Sequence, residues 1–70
     1  MADKLRKELG SKLKIAREEL KLTQAEVAKR ADITSTYYAM TERGEVNPSF
    51  EVLTKLIKIL KVNPSEIFPS

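Results

Sequence analysis

Seventy residues carrying a net charge of +3, a third of them Lys, Arg, Asp or Glu, make one small domain; at that size folding hides only about 60% of the surface an unfolded chain exposes. The absence of cysteine and histidine excludes thiolate nucleophiles, disulfide staples and the commonest zinc ligands, so no metal, no cofactor and no enzyme chemistry are expected. No apolar run nears the roughly 18 residues a membrane span needs, and MADKLRKELGS lacks a secretory core, which predicts a soluble cytoplasmic chain starting at its mature N-terminus, with no membrane partner.

Charge is unevenly spread. Residues 1–21 hold seven basic against four acidic side chains, residues 22–48 three against four, and residues 49–70 three against two. Leu5, Leu9, Leu13, Ala16 and Leu20 recur at helical spacing and predict a first helix over about residues 3–21, which Gly10 interrupts at modest cost. Ile15 faces away from that stripe and has no assignment. Thr23 followed by Glu26 has the form of a capping box, and Val27, Ala28 and Ala31 give a second helix of about two turns a narrow apolar face.

In ADIT, Asp32 suits the left-handed conformation of a tight turn, Ile33 is an apolar plug and Thr34 caps a third helix that Gly44 ends. The NPS of residues 47–49 starts a fourth helix with Phe50, Leu53, Leu56, Ile57 and Leu60 as its core stripe, widened by Val52 and Ile59. NPSE at residues 63–66 repeats cap, proline and box for a fifth, short helix. No repeat, low-complexity segment or strand-like alternation interrupts this all-α pattern.

Thr23 and Thr34, eleven positions apart with a brief turn between their helices, have the spacing of a helix-turn-helix, whose second helix enters the DNA major groove. Spacing alone leaves open a helix pair that serves packing only. The wider pattern narrows this. LGSKLKIAREELKLTQAEVAKRADIT, then YY, ERGEVNPS and LKVNPSEIF resemble the lambda-repressor-like, Cro-type (XRE) family of transcription regulators across residues 9–68. The resemblance implies a compact five-helix DNA-binding domain over residues 1–70, commonly dimeric on palindromic operators. It also implies that Arg17 pairs with Glu42 of ERG and bridges the first helix to the third. Three positions depart from the family pattern: Tyr38 where an aliphatic residue is usual, Thr41 where an apolar one is, and Met40 where a long polar or basic one is frequent.

Helical geometry sorts residues 34–43 into two faces. Ser35, Thr36, Ala39, Met40 and Arg43 share one, and Tyr38, Thr41 and Glu42 point toward the first two helices. Hydroxyls pair with several base edges, while Ala and Met offer apolar contact to a thymine methyl, so Ser35, Thr36, Ala39 and Met40 are the expected base contacts. The competing reading makes Thr34 and Ser35 caps, and Ala39 and Met40 solvent-facing filler. Without bidentate Arg or Gln at this helix start, discrimination leans on apolar contacts, water bridges and DNA shape.

Phosphate contacts are assigned to Gln24 and Thr34, at helix starts whose unpaired N–H groups attract anions, and to Tyr37, Arg43 and Asn47 on the same side. The alternatives are a solvated helix start for Gln24 and a surface ion pair with Glu45 for Arg43. The wide apolar arc of the fourth helix predicts a homodimer through Val52, Leu56, Ile59, Val62, Pro64, Ile67 and Phe68, unless Ile67 and Phe68 close their own domain. The expected partner is double-stranded DNA, read by a sequence-specific regulator, by default a repressor, with no small-molecule effector evident. The alternative function is a protein-interaction module of the same fold, an antitoxin or coactivator-like adaptor, favoured by Met40 and the acidic balance of residues 22–48.

Overall fold

Four α-helices follow one another: α1 (Ala2–Glu19), α2 (Gln24–Ala31), α3 (Ser35–Arg43) and α4 (Phe50–Leu60), and a three-residue 3-10 turn, Pro64–Glu66, comes after them. They are seen in a computed structural model that describes residues 2–67, apart from the side chains of residues 2 and 3. The expected fifth helix is therefore a single turn. Its hydrogen bonds run from the N–H of Glu66 to the carbonyl of Asn63 and from that of Ile67 to Pro64, a three-residue step. Asn63 Oδ1 accepts from the N–H of Ser65, so this cap tightens the chain into a 3-10 geometry instead of opening an α-helix.

Local chemistry places the helix boundaries. Thr23 Oγ1 accepts from the N–H of Glu26 at 3.1 Å while Glu26 Oε1 accepts from the N–H of Thr23 at 2.8 Å, a complete capping box. Thr34 Oγ1 accepts from the N–H of Tyr37, and Ser49 Oγ from that of Val52. At the other ends, Lys21, Asp32, Gly44 and Lys61 all take the left-handed conformation that releases the chain from a helix. Only one of these four is glycine, so three L-residues carry the strain of positive φ.

The core is built where the four helices converge. Leu13 of α1, Val27, Ala28 and Ala31 of α2, Tyr38 of α3, and Leu56 and Leu60 of α4 form one buried cluster. α1 and α2 each pack against both α3 and α4. Leu9, Ala16 and Leu20 continue the α1 stripe as half-buried neighbours of that cluster.

Two members of the expected stripes leave it. Leu5 is 58% exposed, because its turn of α1 borders an open groove with Leu9, Leu53 and Ile67 instead of a closed core. Phe50 is 75% exposed. As the first residue of α4 its Cα–Cβ bond leans back past the helix start, away from the body that Leu53 and Ile57 reach. Ile15 is 56% exposed as well.

Gly10 has a stronger reason than a tolerated interruption. A Cβ there would stand 2.2 Å from the carbonyl oxygen of Glu42 and 2.7 Å from that of Thr41, so α1 lies directly on the last turn of α3. Gly44 extends this seam: a Cβ would meet Lys7 Cγ at 2.7 Å, on a residue whose φ is already +75°. Among the described residues no helix is long and apolar enough to cross a membrane.

Candidate nucleic-acid interface

The exposed side of α3 is set by what its other side must bury. Tyr38, Thr41 and Glu42 are buried, with Tyr38 and Thr41 at 0% and 1% exposure. Thr41 enters the core as a polar residue because its hydroxyl donates to the carbonyl of Tyr37 at 2.9 Å, one turn back. With those three positions turned inward, Ser35 and Thr36 stand exposed, and Tyr37, Ala39 and Met40 are half-buried at the edge of the outward arc. Arg43 completes that arc at the last turn.

Two helix starts lie near this face, and they are not equivalent. The first turn of α3 contains no acidic residue, and Thr34 uses its hydroxyl on the N–H of Tyr37, which leaves the amides ahead of it unpaired by the cap. The first turn of α2 already holds an anion. Hydrogen bonds from the backbone and then the hydroxyl of Thr23 keep the Glu26 carboxyl below the ordinary carboxylate value, so a carboxylate stands at the positive end of α2. The α3 start is the more open of the two.

Beneath the face, three helices meet at one carboxylate. Arg17 Nε donates to Glu42 Oε2 at 2.6 Å and its Nη2 donates to Oε1 at 3.2 Å. The remaining Arg17 nitrogen, Nη1, donates to the carbonyl of Leu22 at 2.9 Å, clasping the turn between α1 and α2. Gln24 Nε2, at the start of α2, donates to Glu42 Oε1 at 2.9 Å. The side chains of Arg17 and Glu42 are 13% and 3% exposed. Burial works to raise the Glu42 carboxyl, but hydrogen bonding from Arg17, joined by that from Gln24, outweighs it and holds the group below the usual carboxylate value. The hydrogen bond to Glu42 in turn raises the Arg17 guanidinium. The Tyr38 hydroxyl is buried beside this pair without a well-formed hydrogen bond, and burial, reinforced by the nearby Glu42 charge, pushes its pKa up.

The other expected contacts are placed as follows. Arg43 donates to Glu45 through Nε at 2.9 Å and Nη2 at 3.1 Å, an exposed bidentate pair. Asn47 is exposed in the connection between α3 and α4. Gln24 does not project freely, since its amide is engaged with Glu42. No periodicity in the chain signals that link, because the two residues are 18 positions apart.

The expected dimer surface needs correction at Leu56, which is 0% exposed and belongs to the chain's own core. Val52, Ile59, Val62 and Ile67 are half-buried against that same core, Pro64 is exposed, and Phe68 lies outside the described residues.

Comparison with known proteins agrees with this geometry. The helix-turn-helix family profile matches residues 13–67. The immunity repressor protein of Bacillus phage phi105 is 36% identical over 59 residues, which are 84% of this chain and 41% of that protein; the chain thus spans about two-fifths of this relative's length. The crystal structure of the restriction-modification controller protein C.AhdI from Aeromonas hydrophila superposes with a TM-score of 0.81 at 31% identity, covering 93% of this chain and 97% of that one. With α2 and α3 forming the motif over a match that takes in most of the residues, the chain belongs to the XRE-type helix-turn-helix family of DNA-binding transcription regulators.

Proposed function

We propose that residues 1–70 act as one sequence-specific DNA-binding unit that represses transcription, with α3 lying in the major groove of double-stranded DNA in the cytoplasm. The observation that carries this reading is the division of α3: Tyr38, Thr41 and Glu42 are buried while Ser35 and Thr36 stand exposed beside Ala39 and Met40. In the proposed complex Ser35 and Thr36 hydrogen-bond base edges, and Ala39 and Met40 touch thymine methyls. Thr34, Tyr37, Arg43 and Asn47 supply phosphate contacts, aided by the acid-free first turn of α3. A repressor role is supported by similarity to a phage immunity repressor, and a regulatory one by similarity to a restriction-modification controller.

A homodimer on a palindromic operator completes the proposal. Val52, Ile59, Val62, Pro64 and Ile67 remain its candidate interface, with Phe68, and two-fold symmetry would set recognition helices roughly 34 Å apart for half-sites one helical turn apart. Selection of preferred duplexes from a random library tests the whole reading at once. A two-fold symmetric consensus is the expected result, whereas recovery of no enriched sequence would refute specific binding.

A second reading has its own support. Glu26 holds the α2 start and Glu45 holds Arg43, so the face carries little free positive charge, which suits a protein-interaction module. Duplex titration separates the two, because phosphate binding requires affinity that falls steeply with salt.

A further inference from the structure

Binding to a duplex calls for positive charge near α3, and the face of α3 supplies little. Residues 1–21 carry seven basic and four acidic side chains, a balance equal to the +3 of the whole chain, whereas residues 22–48, which hold α2 and α3, sum to −1. Arg43, the basic residue of α3, is paired with Glu45. The excess of cations lies on α1.

Helical spacing gathers part of that excess into a ridge. Lys4, Lys7, Ser11 and Lys14 recur at steps of three, four and three, which sets them on one side of α1, and all four are exposed. Lys4 and Lys14 stand ~15 Å apart along the helix axis. No acid enters the ridge before Glu18, one turn beyond Lys14, although Glu8 borders it. Lys12 is turned aside, with its Nζ donating to the carbonyl of Glu66. Among the described residues Lys4, Lys7 and Lys14 enter no ion pair, so their ammonium groups can meet an external anion.

Packing brings this ridge alongside α3. A Cβ on Gly44, the residue after Arg43, would lie 2.7 Å from Lys7 Cγ and 2.9 Å from Lys7 Cα, and one on Gly10 would meet the carbonyl oxygen of Glu42. The Lys7 stem therefore starts against the end of α3, next to the last residue of its exposed arc. Lys14 stands one turn on from Gly10 along the same seam, and Lys4 lies one turn before Lys7.

We propose that Lys4, Lys7 and Lys14 form a second phosphate-binding surface, which grips the duplex backbone beside the groove occupied by α3. The proposal rests on the DNA-binding reading and supplies the charge that the α3 face lacks. Ammonium groups on flexible stems, spaced along one helix, suit phosphates of one strand and carry no base information. The ridge sets affinity and its salt dependence, while α3 sets which sequence is preferred.

The test compares two variants of the full chain that lose equal charge at exposed sites. One carries Lys4→Gln, Lys7→Gln and Lys14→Gln, and the control carries Lys55→Gln, Lys58→Gln and Lys61→Gln on and just after α4. Each is titrated over a range of salt on two duplexes of equal length, one selected from a random library and one unrelated. The ridge variant is expected to lose affinity by a similar factor on both duplexes, with a slope of log affinity against log salt shallower by about two to three; the control shifts that slope by less than about one. Equal slopes for the two variants, or a ridge loss confined to the selected duplex, would overturn the proposal.

A second readout needs no variant. Wild-type lysines are acetylated with acetic anhydride with and without duplex, and the modified positions are mapped by mass spectrometry. Duplex should slow modification of Lys4, Lys7 and Lys14 several-fold and leave Lys55 and Lys58 unchanged, whereas unchanged rates on the ridge would again overturn it. Wild-type protein with no salt-sensitive affinity for any duplex would refute the DNA reading itself. A wild type that binds while the two variants behave alike refutes the ridge alone.

Discussion

Gly10 of α1 lies so close to Glu42 of α3 that a methyl group in place of its hydrogen would come within 2.2 Å of the Glu42 carbonyl oxygen. The first helix and α3 therefore touch backbone to backbone at the turn that carries the buried carboxylate.

This contact makes Gly10→Ala a test of opposing effects. Alanine in a helix interior is favoured over glycine by about 1 kcal/mol, whereas overpacking a tight contact costs about 1–3 kcal/mol. The neighbours here are backbone atoms that cannot rotate aside, so the steric cost wins. We expect a net loss of stability and a thermal midpoint lower by about 10 °C, measured by circular dichroism. An unchanged or raised midpoint would show that α1 slides freely over α3.

Glu42→Ala strands the Arg17 guanidinium at 13% exposure with no carboxylate. Removing one partner of such a pair costs about 3–5 kcal/mol, comparable with the whole stability of a small domain at roughly 0.05–0.15 kcal/mol per residue. DNA binding should vanish through unfolding, seen as a collapsed urea midpoint. A variant that melts like the wild type would rule out the bridge as a structural element.

Acid should act through the same group. Glu42 titrates below the ordinary carboxylate value of 4.5 in the folded chain, so its contribution is complete above that value and is lost as pH falls through the lower folded one. Glu26 and Glu45 are lowered too, and both act in the same direction. Stability is expected to fall below about pH 4.5. Comparing the pH dependence of Glu42→Gln isolates the Glu42 part, and identical slopes for the two proteins would remove it from the account.

Glu45 ties up Arg43 on the exposed arc of α3. Exposed pairs contribute little to stability, so Glu45→Ala should leave the melting temperature nearly unchanged. It should raise duplex affinity several-fold and steepen the salt dependence by about one phosphate contact, read as the slope of log affinity against log salt. Weaker binding after this change would argue against Arg43 as a phosphate contact.

Lys61 ends α4 with φ of 57°. Left-handed backbone strains an L-residue by roughly 1–2 kcal/mol, part of which glycine returns through its greater freedom when unfolded. Lys61→Gly is expected to stabilise the fold by about 0.5–1 kcal/mol in chemical denaturation, and a destabilised variant would show that the Lys61 side chain holds something in place.

The features that could be read along the chain are those whose partners lie within a few residues. Thr23 with Glu26, Thr34 with the N–H of Tyr37, Asp32 and Gly44 in left-handed turns, and the inward set of Tyr38, Thr41 and Glu42 all follow from helical spacing and cap chemistry. Short-range hydrogen bonds depend on residue type and offset, and both are written in the sequence. The need for glycine at position 10, the exposure of Leu5 and Phe50 and the capture of Gln24 by Glu42 are of another kind. Each depends on where one helix crosses another, which is fixed when side chains from distant segments settle into a single dense packing. Periodicity names the apolar face of a helix but leaves open which of its turns meets a neighbour and which overhangs solvent.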